Sequence, residues 1–214
     1  MIAIVDYGMG NLRSAQKGFE KAGYEAVLTH DPAEIDAADG VVVPGVGAFK
    51  DCMDGLREKG LVEPILAAAH GGKPFMGICV GLQLLFEYSE EGEGAAGLGI
   101  FPGRVVRFPA FSETGLKVPH MGWNQLGRAS APEGVDLLEY TDGAPYCYFV
   151  HSYYAIPQDP AITKATCSYG VTFPAIVGRD NIVATQFHPE KSQAAGIAIL
   201  RAFGAMVSSV SQVS

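Results

Sequence analysis

Apolar residues in the first eighty positions gather in short unbroken runs, with amphipathic stretches between them. Ile2-Ala3-Ile4-Val5 is apolar throughout, the pattern of a strand covered on both faces. A glycine-bearing turn over residues 6–11 follows, then helical spacing over residues 12–22 that stops at Gly23. Residues 25–29 and 40–43 predict two further strands, the second ended by Pro44. Residues 61–70 predict a helix closed by Gly71-Gly72, and residues 75–78 another buried strand. Leu82, Leu84, Leu85 and Phe86 predict that a helix continues directly after it. Strands alternating with helices imply an α/β fold, with a mostly parallel central sheet flanked by helices.

The pattern changes in the second half. Between residues 105 and 184, short β-like runs rich in aromatics (146–154, 164–169, 175–177, 182–186) are separated by turn residues such as Asp180-Asn181. They predict an additional antiparallel or mixed β section packed on the first half. A last helix is expected over residues 192–207, with Ser192 as its cap and Ala195, Ile199, Leu200, Phe203 and Met206 on its apolar side. Residues from 208 onward are expected to fray. No repeat or linker interrupts the pattern, so residues 1–214 read as one domain.

Composition narrows the function. Net charge is −8 and no basic run occurs, which argues against a nucleic-acid partner. No apolar stretch is expected to reach the roughly 18–20 residues that cross a bilayer, and the first residues read as a strand rather than a signal peptide. Cys52, Cys79, Cys147 and Cys167 show no paired spacing, so neither a zinc site nor a disulfide framework is expected. A reducing, cytoplasmic setting fits, with no metal and no cofactor.

The chemistry concentrates at Gly77-Ile78-Cys79-Val80-Gly81, a cysteine between glycines at a strand–helix junction. A nucleophile elbow has this form. The sharp turn strains the backbone of the nucleophile, and only flanking glycines leave room for it. A lone cysteine is ordinarily a small core residue; the brackets reverse that reading. A thiol nucleophile requires an imidazole, and the imidazole an orienting group. Phe187-His188-Pro189-Glu190 supplies both on one short segment. In an extended segment residues two apart point the same way, so Glu190 would reach one ring nitrogen while the other faces Cys79. His70 and His120 lack such a carboxylate neighbour, and Asp31, which follows His30, is expected in a turn at Asp31-Pro32. Pro44-Gly45-Val46-Gly47 lies at a strand end, where one of its N–H groups, with that of Val80, would form an oxyanion site. Gly8-Met9-Gly10 is only Gly-x-Gly, and a dinucleotide reading is rejected.

Together the elbow through Phe86, the Pro44–Gly47 loop and the segment from Phe187 to Ser192 resemble the class I, triad-type glutamine amidotransferases. Three more segments, Val5-Asp6-Tyr7-Gly8-Met9-Gly10-Asn11-Leu12, Pro119-His120-Met121-Gly122-Trp123-Asn124 and Tyr148-Phe149-Val150-His151-Ser152-Tyr153, are similar to the glutaminase-subunit family of imidazole glycerol phosphate synthases. The resemblance implies that Cys79 attacks the side-chain amide of L-glutamine and forms a thioester, with His188 and Glu190 completing the triad. It implies an oxyanion site from Gly45, Val46, Gly47 and Val80, and glutamine contacts from Gln83, His151 and Ser152. It further implies that ammonia passes to a cyclase subunit, a (β/α)8 barrel bound as a heterodimer near Asn11, Trp123 and Lys191. That subunit makes imidazole glycerol phosphate and an aminoimidazole carboxamide ribotide in histidine biosynthesis. The loop at Gly45–Gly47 is expected to be misarranged until the partner is loaded. The alternatives are a glutaminase subunit of the pyridoxal-phosphate or purine pathway, a cysteine peptidase or deglycase of similar architecture, and a non-enzymatic binding protein of the same fold.

Overall fold

The computed structural model describes residues 1–128 and 136–211. The first half runs β1 (Ile2–Val5), α1 (Leu12–Ala22), β2 (Ala26–Thr29), α2 (Pro32–Ala37), β3 (Gly40–Gly45), α3 (Phe49–Glu58), α4 (Val62–His70), β4 (Phe75–Cys79) and α5 (Val80–Gln83). Next come β5 (Phe86–Ser89), β6 (Ala95–Ala96), β7 (Phe101–Arg107), α6 (Phe111–Thr114), β8 (His120–Gln125) and β9 (Gly127–Arg128). The chain closes with β10 (Tyr146–His151), β11 (Tyr153–Pro157), β12 (Thr163–Tyr169), β13 (Val171–Arg179), β14 (Ile182–Thr185) and α7 (Gln193–Ser211).

The main sheet has the order β2-β1-β3-β4-β14-β13-β12-β9. Its first five strands are parallel neighbours and the last three join antiparallel. β1, β3, β4 and β14 are buried along their whole length, as uninterrupted apolar runs demand when helices cover both faces. A second sheet, β11-β7-β5-β6, and the antiparallel pair β8–β10 supply the mixed β section expected of the second half.

Several expectations are corrected by tertiary pairing. β3 does not end at Pro44; it continues to Gly45, because β4 goes on pairing there (Gly45 opposite Cys79). Its partnership with β1 stops at Val42, so the missing proline N–H falls where that side of the ladder is already open. The helix after the elbow is only α5. Phe86 starts a strand instead, because the backbone of Leu84, Leu85 and Phe86 is taken up by N–H groups of Leu98, Phe101 and Gly99. The run 146–154 breaks at Ser152 into two strands of different sheets. α2 and α3 were not anticipated; Asp31, read as part of a turn, caps α2 by accepting from the Ala33 N–H.

The last helix is in place but its cap is not as expected. The Ser192 hydroxyl donates to the His188 carbonyl at 2.7 Å and accepts from the Tyr148 N–H at 3.0 Å, so it braces the site rather than α7. α7 continues through Ser211 instead of fraying from 208; residues 212–214 lie outside the described residues. An 18-residue stretch of α7 also has the length and mean hydropathy, 1.4, of a membrane span, contrary to expectation. Here Ile199, Leu200 and Phe203 are buried and α7 packs along α1, with Phe203 edge-on to Phe19 at 5.9 Å.

Candidate active site

The strand order places the carboxyl ends of β3, β4 and β14 side by side, which brings residues 45–47, Cys79 and His188 to one rim. Cys79 has φ 57° and ψ −110°, a conformation that L-residues avoid. The flanking glycines are what permit it. A Cβ at Gly81 would lie 1.9 Å from the Val43 carbonyl oxygen, and one at Gly77 2.6 Å from that of Gly81. Gly45 backs directly onto the elbow: a Cβ there would meet the Val80 Cβ at 2.8 Å and the Gly81 nitrogen at 2.9 Å.

His188 follows β14, its N–H donating to the Tyr148 carbonyl of β10 at 2.9 Å. Its Nδ1 lies 2.8 Å from Glu190 Oε1, both side chains being 2% exposed. Glu190 reaches the ring, but not along the extended segment that the sequence predicts. Pro189 instead opens a single 3-10 turn, Pro189–Lys191, which swings Glu190 back toward His188; the fixed proline φ suits that first helical position. His188 Nε2 is buried without a hydrogen-bond partner and so is left for chemistry. Burial is the strongest influence on the ring and favours its neutral form, but its interactions with Cys79 and Glu190 outweigh that and raise the imidazole to about 10.

A cavity of about 620 Å³ opens above this rim. Val46, Gly47, Cys79, Val80, Gln83, His151, Ser152 and His188 line it, as do Asn11 and Lys191. Of the other residues singled out by sequence, Glu190 stands behind His188, Gly45 lies beneath the rim in β3, and Trp123 sits outside on β8, 46% exposed. Trp123 packs edge-on to Tyr148 at 6.0 Å, and Lys191 lies over the same ring at 5.8 Å. Gln83 spends its amide hydrogens on the Tyr153 carbonyl (3.0 Å) and Gln186 Oε1 (3.1 Å), leaving its own oxygen for a ligand.

Several neighbours escaped sequence reasoning. The Tyr7 hydroxyl donates to the Pro44 carbonyl at 2.6 Å, and the Cys52 thiol to the Val46 carbonyl at 3.5 Å. The two side chains brace the 44–47 loop from beneath, and burial holds the Cys52 thiol up at about 11, so it remains a donor. Asn11 Nδ2 contacts Glu190 Oε1 at 3.4 Å. Glu91, on the cavity wall, accepts from the Phe49 N–H at the start of α3 at 2.7 Å. His120 bonds to His151 at 3.0 Å. All but the Cys52–Val46 contact span a long stretch of chain, so no local spacing could announce them. No cluster of metal-ligating side chains occurs among the described residues.

Comparison with known proteins places this geometry in a family. Residues 3–206 match the family "Glutamine amidotransferase class-I". The chain is 58% identical to the "Imidazole glycerol phosphate synthase subunit HisH" of Syntrophotalea carbinolica over 210 residues, covering 96% of this chain and 100% of that protein. It is 57% identical to the subunit of that name from Geobacter sulfurreducens over 208 residues, covering 96% and 98%. A solved glutamine amidotransferase shares the fold with a TM-score of 0.71 at 18% identity, covering 97% of this chain and 100% of that one. The elbow, the histidine–carboxylate pair and the matches across almost the whole length agree: this chain belongs to the class I glutamine amidotransferases, within the family of HisH subunits of imidazole glycerol phosphate synthase.

Proposed function

We propose that this chain hydrolyses L-glutamine to glutamate and ammonia with Cys79, His188 and Glu190 as its catalytic triad, all carried by one domain. The supporting observation is the strained cysteine at the end of β4, beside a buried imidazole whose far nitrogen is bonded to a carboxylate at 2.8 Å. Cys79 sulfur attacks the side-chain amide carbon with its proton held on His188 Nε2. Charge collects on the amide oxygen, where the Val80 N–H and an N–H of the 45–47 loop stabilise it; each such donor is worth about 3 kcal/mol in the barrier. Collapse of the tetrahedral species transfers the Nε2 proton to nitrogen and releases ammonia. His188 then takes a proton from water, which attacks the thioester, and glutamate leaves with the thiol restored. Glu190 keeps the ring oriented with Nδ1–H toward the carboxylate. The free Gln83 oxygen and the wall at His151 and Ser152 bind the α-substituents of glutamine.

The ammonia is delivered to a cyclase subunit, a separate (β/α)8-barrel chain that uses it to form imidazole glycerol phosphate and an aminoimidazole carboxamide ribotide in histidine biosynthesis. Free ammonia in water is mostly ammonium and a poor nucleophile, so release into a protein partner fits the chemistry. Exposed Trp123 and Met121, at 46% and 65%, make an apolar patch suited to that partner, with Lys191 and Asn11 at the cavity rim beside it. Four free cysteines fit a cytoplasmic setting. The test is glutamate release with and without the cyclase and its bound substrate. The isolated chain is expected to be nearly inactive and the loaded complex active; full activity of the isolated chain would count against a loop rearranged by the partner, and no activity in either state against the reading itself.

A further inference from the structure

β8 and β10 pair so that His120 stands directly opposite His151. Their inward face carries His120, Asn124, Phe149 and His151, and their outward face Met121, Trp123 and Tyr148. His151 Nδ1 lies 2.8 Å from the Tyr153 carbonyl; a carbonyl only accepts, so this nitrogen carries the proton and Nε2 is an acceptor. His120 Nδ1, 3.0 Å from that Nε2, must therefore donate. His120 Nε2 is then an acceptor as well, served by Asn124 Nδ2 at 3.2 Å, which also donates to the Ser168 carbonyl at 3.0 Å. Only one placement of protons satisfies this chain, and in it both rings are uncharged.

We propose that His120 is a positioning residue for glutamine binding, holding the His151 ring and the Tyr153 carbonyl in place through an uncharged hydrogen-bond chain anchored at Asn124. The Tyr153 carbonyl where this chain ends also accepts from Gln83 Nε2 at 3.0 Å, so one oxygen orients two residues of the cavity wall. The rings are walled in: His120 stacks at 4.8 Å on Phe149 and 4.2 Å on Tyr169, and Phe108 and Phe173 lie edge-on to both. The titratable side chains set against the pair are Tyr169 of β12, stacked on His120, and His188 beyond β14, whose charge acts on His151. Neither is a carboxylate that would favour a charged ring, and burial pushes His120 down to about 4 and His151 to about 3. Adding a proton to either ring would set two N–H groups against each other, so the wall keeps one shape across neutral pH.

This inference rests on the cavity being the glutamine site, and the test separates the two. In the synthase complex, Cys79 is labelled with a glutamine-analogue electrophile over a range of concentrations, and half-saturation is separated from the limiting rate. His120→Phe keeps the ring stack and removes the donor. It is expected to raise half-saturation about tenfold while the limiting rate falls less than threefold, as loss of ground-state binding requires. His120→Asn retains a donor near the Nδ1 position and is expected to recover most of that loss, which a purely packing role would not predict. An unchanged half-saturation, a loss confined to the limiting rate, or an Asn variant no better than Phe overturns the inference. If His120→Phe fails to fold, Asn124→Leu at the half-exposed end is expected to shift half-saturation in the same direction by about threefold, and no shift overturns it. Wild-type complex that is never labelled at Cys79 would instead remove the glutamine reading beneath it.

Discussion

At the residue scale the site is a balance between burial and charge. His188 is buried, which alone would strip its proton, yet Cys79 and Glu190 hold it up at about 10. On the proposed reading the ring donates to the departing nitrogen while Glu190 holds it in register. Glu190→Gln replaces that partner with a neutral amide of the same shape. It is expected to lower glutamine turnover in the complex by roughly 10²–10⁴ and to lower the unfolding midpoint at neutral pH, because the buried imidazole loses its charged partner; steady-state glutamate release and urea unfolding check the two effects. Cys79, His188 and Glu190 were legible because each sits in a short segment whose spacing is itself chemical: glycine brackets around the thiol, and a carboxylate two residues from an imidazole. Tyr7, Cys52, Asn11 and His120 were not. Their partners lie tens of residues or more away, apart from Cys52, whose contact is with a backbone carbonyl that no side-chain pattern reveals. Asn11, read from sequence as a partner contact, also touches the carboxylate bonded to His188.

At the element scale the elbow is set by its neighbours as much as by itself. Gly81 passes so close to β3 that a methyl group would sit 1.9 Å from the Val43 carbonyl oxygen, and backbone cannot yield there as a side chain can. Gly81→Ala is expected to cost more than about 3 kcal/mol, by overpacking and backbone displacement together, or to leave no folded protein. Urea unfolding against wild type measures it. Phe203 on α7 is wholly buried and edge-on to Phe19. Phe203→Ala is expected to lose about 3–5 kcal/mol without moving Cys79, His188 or Glu190. The parallel strands were readable because burial on both faces writes itself as an unbroken apolar run. The continued helix after Cys79 was misread because Leu84, Leu85 and Phe86 are equally apolar in a helix or a buried strand; only the distant backbone of residues 97–101 decides between them.

At the scale of the whole molecule, buried histidines shape stability against pH. His120 and His151 are held below the unfolded value of about 6.5, so the unfolded chain binds more protons than the folded one as pH falls beneath it. Folding stability is therefore expected to decline from about pH 6.5 toward pH 4, each ring contributing at most about 1.4 kcal/mol per pH unit. His120→Asn, which cannot titrate, is expected to show a shallower acid limb in urea midpoints taken across that range. His188 works in the opposite direction. Its folded value is raised, so its contribution is complete below about pH 6.5 and fades as pH climbs through about 10. The general plan, a parallel sheet with a mixed β section and a site at the carboxyl ends of its central strands, was legible in the order of runs and turns. The adjacency of β4 and β14 was not, since they are joined only by non-local pairing. That adjacency is what lets a cysteine from the first half meet a histidine from the second. The most direct test is to quench the working complex in acid during glutamine turnover and map the protein by mass spectrometry. A glutamyl group on the peptide bearing Cys79, absent in Cys79→Ala, is the predicted result; turnover that persists in Cys79→Ala, or a glutamyl group on another residue, would contradict it.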